Sequence, residues 1–431
     1  MHGTATRLKF GCTFGYVAKH LNSGTMRAPR LLFYAVNGLG LGHVTRLLAL
    51  ARAVRRACPD SEILFLTTSE ASHIVYREGF AALKLPSRNA ASSGGLRHAS
   101  WLRLMQSVVL NTATAFDPHA LIVDTFAAGT VHELLPVLRW PLRKVFVFRA
   151  QRDERAEDTF FQSTLKLYDL VLIPHHAGEE NVTAPATPRV VWTGPMLIRD
   201  RDELMSRKAA RQALGLPLEG EIALVTLGGG GDPEIAVARS LLAKAIAGSA
   251  NRALWVETRG PLSRDLASHG VHASGGQSTD GMANGAEFGC TLSEALAENH
   301  RLLRDVQPQM PFLAAFDYAV ASAGYNTTHE MQAAGLPTIF WPFARDLDDQ
   351  SDRVRRLAQA GRALSVGEGA NPAAERIENL KEALLRMALA PERDALRTAM
   401  SNHAVGRAGG NGAAITNGAA IGAAAILQLF S

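Results

Sequence analysis

Residues 31–57 read LLFYAVNGLGLGHVTRLLALARAVRRA, and this stretch sets the fold class that the sequence predicts. The apolar run from Leu31 to Val36 is typical of a buried strand, and the segment from about Val44 to Ala57 has apolar residues at helical spacing. The glycines between them suit a tight strand-to-helix turn. A strand, a glycine loop and a helix form the opening unit of a parallel sheet with crossover helices, so we expect an α/β fold.

The same alternation of strand-like and helix-like segments continues along the chain. It restarts after TGPMLIRDRDE (193–203), which combines Gly194-Pro195 with a run of charges and is therefore the predicted domain boundary. The predicted strands of the first half are Glu62 to Thr67, Ala120 to Asp124, Lys144 to Arg149, Leu170 to Ile173 and Arg189 to Thr193. Those of the second half are Glu221 to Leu227, Ala253 to Glu257, Tyr318 to Ala321 and Pro337 to Trp341.

This organisation predicts two domains, residues 29–197 and 198–395. Residues 1–28 precede them as a disordered extension. A Gly/Ala-rich tail at 396–431 follows, and its AAAILQLF segment is predicted to be a short docking helix. The Gly/Ser/Asn-rich stretch at 263–293 has too few apolar residues for a core element and is predicted to be a mobile surface insertion.

Composition excludes several classes of protein. Of the 431 residues, 47% are hydrophobic and 20% charged, which is a globular composition and unlike that of a disordered chain. The net charge of +5 is spread along the chain, so no nucleic-acid partner is expected. The three cysteines form no CxxC pair, which argues against structural zinc and a disulfide framework. No apolar stretch is long enough to span a membrane and no secretory signal is recognisable, so we expect a cytoplasmic protein with at most peripheral membrane contact.

The first candidate site is the loop NGLGLGH at 37–43. Gly40 and Gly42 let the backbone approach a ligand, but a dinucleotide-binding GxGxxG would require a third glycine where His43 stands. His43 is a candidate general base, because its ordinary pKa lies near working pH. Asp124, at the end of another strand, is a candidate for orienting the imidazole ring. A simple turn with an incidental histidine, and a helix-capping role for Asp124, remain alternatives at this point.

The second candidate site is VTLGGGGDP at 225–233. A glycine run after a strand presents amide donors that can hold a phosphate. The absence of GK[ST] excludes a P-loop. A flexible turn is the alternative.

The third candidate site is DYAVASAGYNTTHE at 317–330, which predicts a strand, a turn at Gly324 and a helix opening at Asn326 and Thr327. The free amides at a helix start favour an anion. Glu330 lies one turn further on the same face, where its carboxylate can accept hydrogen bonds from a vicinal diol such as a ribose. A capped helix with a solvated acid is the alternative.

Asp349 and Gln350 follow the next predicted strand, within the segment DLDDQ at 346–350, and could bind a sugar. Three aspartates in this segment could also suggest a divalent metal. No glycine loop of their own accompanies them, so we expect no metal here.

With these segments in this order, the chain resembles the GT-B glycosyltransferases that use nucleotide-sugar donors. It is most similar to the bacterial group related to the lipid-II-forming N-acetylglucosaminyltransferase, and to predicted glycosyltransferases with a GGYNT-like box. The resemblance spans about 29–390 and rests on GLGLGH, VDTFAAGTVHEL, TLGGGGD, QPQMPFLAAFDYAVASAGYNTTHE, AAGLPTIFWP and DDQ. The related plant enzymes have an aromatic residue two positions before a Pro-Gln pair, where this chain has Val306.

The resemblance implies two Rossmann-like domains facing across a cleft, with the acceptor bound by the first and the donor by the second. It implies an inverting, metal-independent hexosyltransferase without a cofactor, with a UDP-sugar as the expected donor. It assigns the base to His43 and, as in some relatives, its orientation to Asp124. It assigns the diphosphate to Gly228, Gly229, Gly230, Gly324, Asn326 and Thr327, the ribose to Glu330 and the transferred sugar to Asp349 and Gln350.

Three alternatives accompany this hypothesis: a non-catalytic nucleotide-sugar-binding helper, a nucleotide-sugar 2-epimerase, and, less favoured because of the incomplete GxGxxG, a nicotinamide dehydrogenase. The acceptor, whether a small molecule, a lipid or a glycan, is not readable from the sequence. Its pocket is expected to involve variable segments such as Ser87 to Trp101.

Overall fold

The computed structural model describes residues 28–36, 40–149, 158–178, 189–229, 234–248, 252–261, 292, 296–345, 348–367, 373–407 and 416–431. The predicted N-terminal extension, Gly230 and nearly all of the predicted surface insertion lie outside the described residues.

The first sheet has seven parallel strands in the order β3-β2-β1-β4-β5-β6-β7. Its central strands read as uninterrupted apolar runs, because crossover helices cover both faces of a parallel sheet. Its strands are β1 (Arg30–Ala35), β2 (Glu62–Thr67), β3 (Ala81–Lys84), β4 (Ala120–Asp124), β5 (Arg143–Val147), β6 (Leu170–Ile173) and β7 (Val190–Trp192). The helices between them are α1 (Gly42–Ala57), α2 (His73–Arg77), α3 (Arg88–Ser93), α4 (His98–Phe116) and α5 (Thr159–Leu165).

The second sheet has six parallel strands in the order β10-β9-β8-β11-β12-β13. Its strands are β8 (Ile222–Thr226), β9 (Leu254–Arg259), β10 (His300–Arg304), β11 (Tyr318–Ser322), β12 (Thr338–Trp341) and β13 (Leu364–Ser365). The accompanying helices are α6 (Arg207–Ala213), α7 (Glu234–Ala247), α8 (Tyr325–Ala334), α9 (Gln350–Gln359), α10 (Ala373–Ala388) and α11 (Ala390–Arg407). Short 3-10 turns lie at Val137–Arg139, Arg201–Glu203, Ala297–Asn299 and Met310–Ala315.

The predicted α/β class is confirmed, and each predicted strand is present to within two residues at either end. Sequence reasoning missed β3, β10 and β13. All three strands lie at sheet edges, β13 spans only two residues, and β3 exposes three of its four residues. Such strands lack the apolar run by which the central ones are recognised.

The C-terminal helix α12 (Gly418–Leu427) packs against α1, so the end of the chain returns to the first sheet. Two glycines permit this close approach. A Cβ on Gly418 would lie 2.2 Å from the carbonyl oxygen of Gly194, and one on Gly422 would lie 2.9 Å from Cδ1 of Leu50. The predicted domain boundary near 197 falls between β7 and β8, in the segment that α12 contacts at Pro195.

Candidate functional site

Most of the predicted site residues, but not Asp349 and Gln350, lie at the points where the strand order of each sheet reverses. In the first sheet β1 pairs with β4, so the loop before His43 and the end of β4 at Asp124 are neighbours. In the second sheet β8 pairs with β11, which places Gly228 beside the start of α8. Crevices at such points, beyond the carboxyl ends of the strands, are where open α/β sheets bind ligands.

Direct contacts join the two halves of the cleft. The side-chain amide of Asn326 donates to the carbonyl oxygen of Gly42 at 3.1 Å, which brings the start of α8 to the residue before His43. Arg149, beyond β5, forms an ion pair with Asp348, beyond β12, at 2.7 Å. Both partners are nearly buried, with 9% and 11% of their side chains exposed. The structure therefore places the first and third candidate sites on facing walls.

His43 lies at the start of α1 with its side chain 20% exposed, and its Nδ1 is 3.5 Å from Oδ2 of the buried Asp124. Asp124 is also held by Arg46, which donates to its two carboxylate oxygens at 2.9 and 2.7 Å. The hydroxyl of Thr125 donates to the same carboxylate at 2.7 Å. Asp124 is therefore a shared partner of His43 and Arg46, not the exclusive partner of the histidine.

Electrostatics keep this cluster in a defined charge state. Burial lowers the pKa of His43 below its ordinary value, Asp124 opposes that shift, and Arg46 and Arg149 add to it. Burial by itself would raise the pKa of Asp124, but the attraction of Arg46 and His43 outweighs it and holds that pKa well below the usual range. At neutral pH His43 is therefore a neutral imidazole beside an ionised carboxylate, the state that a general base requires.

Tyr325, the first residue of α8, connects the two walls. Its hydroxyl donates to the carbonyl oxygen of Pro174 in the first half of the chain. The guanidinium carbons of Arg46 and Arg353 lie 5.3 and 5.7 Å from the centre of its ring. Arg46 thus contacts Asp124 on one side and the aromatic ring before Asn326 on the other.

The candidate phosphate-binding residues meet around the turn after β8. Gly228 has a φ of +97°, which favours glycine, and a Cβ there would lie 3.5 Å from the hydroxyl of Ser322 at the end of β11. Gly260 packs so closely that a Cβ would lie 2.6 Å from the backbone of Gly229. Gly324 is the N-cap residue of α8, which places Asn326 and Thr327 in the first turn with its free amides.

Glu330 lies one turn into α8 and is half-buried. Within the described part of the chain its carboxylate forms no hydrogen bond or ion pair. Burial raises the pKa of Glu330 to about 8, and the nearby Arg199 opposes this shift. Strongly shifted pKa values of this kind are common at functional sites, so Glu330 remains a candidate site residue.

The residues predicted to bind the transferred sugar divide into different local roles. Asp349 is exposed and caps α9, accepting from the backbone N–H of Asp352 at 2.9 Å. Gln350 is buried, and its side-chain oxygen accepts from the N–H of Phe343 at 3.0 Å. Asp348 is the carboxylate at the cleft, where it binds Arg149 and Arg353 at 2.7 Å each. No observation tests the sugar-binding roles themselves, which stay predictions.

Sequence reasoning missed Arg46, Arg149, Ser322, Tyr325 and Arg353. Arg46 could have been found, because it is three residues after His43 and so shares a face of α1 with it. Arg149 pairs with Asp348, which is far away in the chain, so the spacing of residues in the sequence does not reveal the contact. The pairing of Arg353 with Asp348 likewise depends on how the segment before α9 folds.

Within the described ranges, no three or more His, Cys, Asp or Glu side chains cluster as metal ligands would. None of the helices in this part of the chain has the length and apolarity that crossing a membrane requires.

Comparisons with known proteins agree on the fold. No family model matches the chain. The chain is 28% identical over 355 residues to the UDP-N-acetylglucosamine–N-acetylmuramyl-(pentapeptide) pyrophosphoryl-undecaprenol N-acetylglucosamine transferase of Salinibacter ruber, covering 79% of this chain and 85% of that protein. A UDP-glucosyltransferase from Polygonum tinctorium superposes with a TM-score of 0.62 at 16% identity, over 94% of this chain and 99% of that one.

A third similar protein is the spinosyn rhamnosyltransferase SpnG, whose structure contains thymidine diphosphate. It superposes with a TM-score of 0.54 at 15% identity, over 94% of this chain and all of that chain. The predicted resemblance is confirmed: the fold is GT-B, with two Rossmann-like domains.

Proposed function

We propose that the protein is a glycosyltransferase that moves a sugar from a nucleotide-diphosphate donor to an acceptor hydroxyl. Its sequence relatives carry that activity in their names, and a structural neighbour holds a nucleoside diphosphate. The observation that carries the proposal is the contact between Asn326 and Gly42, because it sets the amide-rich start of α8 against the loop that ends at His43.

In the proposed reaction, neutral His43 accepts the proton of the acceptor hydroxyl as its oxygen attacks the anomeric carbon. The bond from that carbon to the diphosphate oxygen breaks, and the nucleoside diphosphate leaves with the bonding electrons. Attack opposite the leaving group inverts the anomeric configuration. Asp124 stabilises the imidazolium that forms.

Charge that develops on the leaving diphosphate needs stabilisation within the site. Backbone amides at Gly228 and Gly229 and at the start of α8 are suited to this, together with the side chains of Asn326 and Thr327. The described residues supply such donors, and on that ground we propose metal-independent transfer. We further propose that Glu330 binds the ribose and that the donor is a UDP-sugar, as for the Salinibacter relative.

The test is to incubate the purified chain with single nucleotide sugars and a panel of alcohol, glycan and lipid-linked acceptors, with and without EDTA. We expect acceptor-dependent release of nucleoside diphosphate that EDTA does not reduce, and NMR should show an inverted anomeric centre in the product.

Donor binding without release of nucleoside diphosphate for any acceptor would favour a non-catalytic helper. Conversion of the donor without any acceptor would favour an epimerase. Loss of activity in EDTA would refute metal independence.

A further inference from the structure

A separate cavity of about 670 Å³ lies beside α8, and neither Asn326 nor Glu330 is among the residues that line it. Its walls come from the connecting segment at 195–202, from α8 and α9, and from the C-terminal helices α11 and α12. Thr328 and Gln332, four residues apart on one face of α8, line it, whereas Asn326 and Glu330 share another face. A volume of this size is typical of a site for a small organic molecule.

The lining carries an excess of cationic groups. Six arginines and three histidines line the cavity against two aspartates. Most of the arginines have a carboxylate partner: Arg199 binds Glu78 at 2.6 Å, Arg353 binds Asp348 at 2.7 Å, Arg356 binds Asp352 at 2.8 Å and Arg397 binds Asp394 at 2.8 Å. Arg201 forms no hydrogen bond or ion pair through its side chain within the described ranges, and it remains available for an anion.

The remainder of the wall is apolar, with Leu197, Leu357, Met400 and Ala420 among its residues. From the excess of cationic groups and the apolar wall together, we infer that this cavity binds a small amphipathic organic anion: an apolar body against the aliphatic wall and a phosphate, sulfonate or carboxylate group beside Arg201 and Arg356. The site is distinct from the proposed donor cleft, and the inference does not depend on the proposed function.

The probe for the test is 1-anilinonaphthalene-8-sulfonate, compared with N-phenyl-1-naphthylamine, which has the same rings without the sulfonate. We expect one equivalent of the sulfonate to bind the full chain with enhanced fluorescence, and UDP in excess not to displace it. Displacement by UDP would place the probe in the donor cleft and overturn the inference.

Substitutions of the arginines in the cavity wall test whether the sulfonate probe binds in this cavity. Charge-assisted bonds are about twice as strong as neutral ones, so Arg201→Gln combined with Arg356→Gln should weaken sulfonate binding at least about tenfold and leave the neutral probe within about twofold. Arg88→Gln, an exposed arginine on α3, is the matched control and should change neither affinity. Equal weakening of both probes by the double variant would contradict a role for charge.

Filling the cavity is the second test. Ala404→Trp should abolish binding of both probes, and Ala420→Trp does the same from another wall should the first variant fail to fold, as judged by circular dichroism. Undiminished sulfonate binding by a folded filling variant would refute the site.

Discussion

Arg46 donates to both carboxylate oxygens of Asp124, at 2.9 and 2.7 Å, and so holds a carboxylate that the neighbouring histidine also needs. The Nδ1 atom of His43 lies 3.5 Å from that carboxylate and 3.4 Å from Nη2 of Arg46. The carboxylate favours the imidazolium and the guanidinium disfavours it. Arg46 is therefore expected to adjust the basicity of His43 without touching a substrate.

The pH dependence of turnover should reveal this balance. As the proposed base, His43 can accept a proton only when neutral, so the acidic limb of the kcat/KM profile should follow its pKa. Asp124→Asn removes the attraction and should move that limb to lower pH, whereas Arg46→Gln removes the repulsion and should move it to higher pH, each by about one unit. Shifts of the two variants in the same direction would contradict this account. Ring-proton NMR of His43 gives the same pKa independently of turnover.

Replacing the base should separate chemistry from binding. His43→Ala is expected to lower turnover by ~10²- to 10⁴-fold, because a positioned base contributes about that much to proton transfer. Donor affinity, measured by calorimetry, should stay nearly constant, since the donor candidates lie on the opposite wall. Unchanged turnover would show that another group accepts the proton.

The parts of the molecule that the sequence reveals are those in which neighbours in the chain are also neighbours in space. Buried strands such as β4 and β6 are continuous apolar runs, and the glycine loops with His43 and Asn326 directly follow strands. Edge strand β3 and the ion pair between Arg149 and Asp348 depend on distant segments. The capping role of Asp349 depends on where α9 begins, and the sequence alone does not distinguish Asp348 from Asp349 as the cap.

Donor binding should release a proton through Glu330. With a pKa raised to about 8, this carboxyl group is mostly protonated at pH 7 and mostly ionised at pH 9. Ribose hydroxyls donate to the ionised form, which lowers the pKa on binding. Calorimetry in buffers of different ionisation enthalpy should therefore show release approaching one proton at pH 7 and much less at pH 9.

This measurement is best made in a His43→Ala background and without an acceptor, which suppresses turnover and removes the histidine's own titration. Glu330→Gln in that background is the matched control and should bind the donor more weakly and release no proton. Equal release with glutamate and glutamine at this position would exclude Glu330 as the source.

Loss of Asp348 from the ion pair across the cleft should destabilise the chain more than loss of Arg149. Asp348→Asn leaves two buried guanidinium groups, Arg149 and Arg353, without their carboxylate, and removal of one partner from a buried pair costs about 3–5 kcal/mol. Arg149→Gln should cost less, because Arg353 still holds Asp348 at 2.7 Å. Chemical denaturation measures the free energy of unfolding of both variants. A larger loss for the arginine variant would mean that Arg353 does not compensate.

The docking of α12 should depend more on Gly418 than on Gly422. A Cβ at Gly418 would lie 2.2 Å from the carbonyl oxygen of Gly194 and 2.6 Å from that of Pro195, and backbone cannot move aside without separating the helix from its support. A Cβ at Gly422 would instead meet the ends of the Leu50, Met196 and Leu172 side chains at 2.9, 3.1 and 3.3 Å, which can change rotamer.

We therefore expect Gly418→Ala to destabilise the chain by about 1–3 kcal/mol, the usual penalty of overpacking. Gly422→Ala should be closer to neutral, because alanine gains about 1 kcal/mol of helix propensity over glycine in a helix interior. Thermal unfolding of the two variants beside the parent chain provides the comparison. If Gly422→Ala proved the more damaging, the contact of α12 with α1 would be set by side-chain packing around Leu50 and not by the backbone at Gly194 and Pro195.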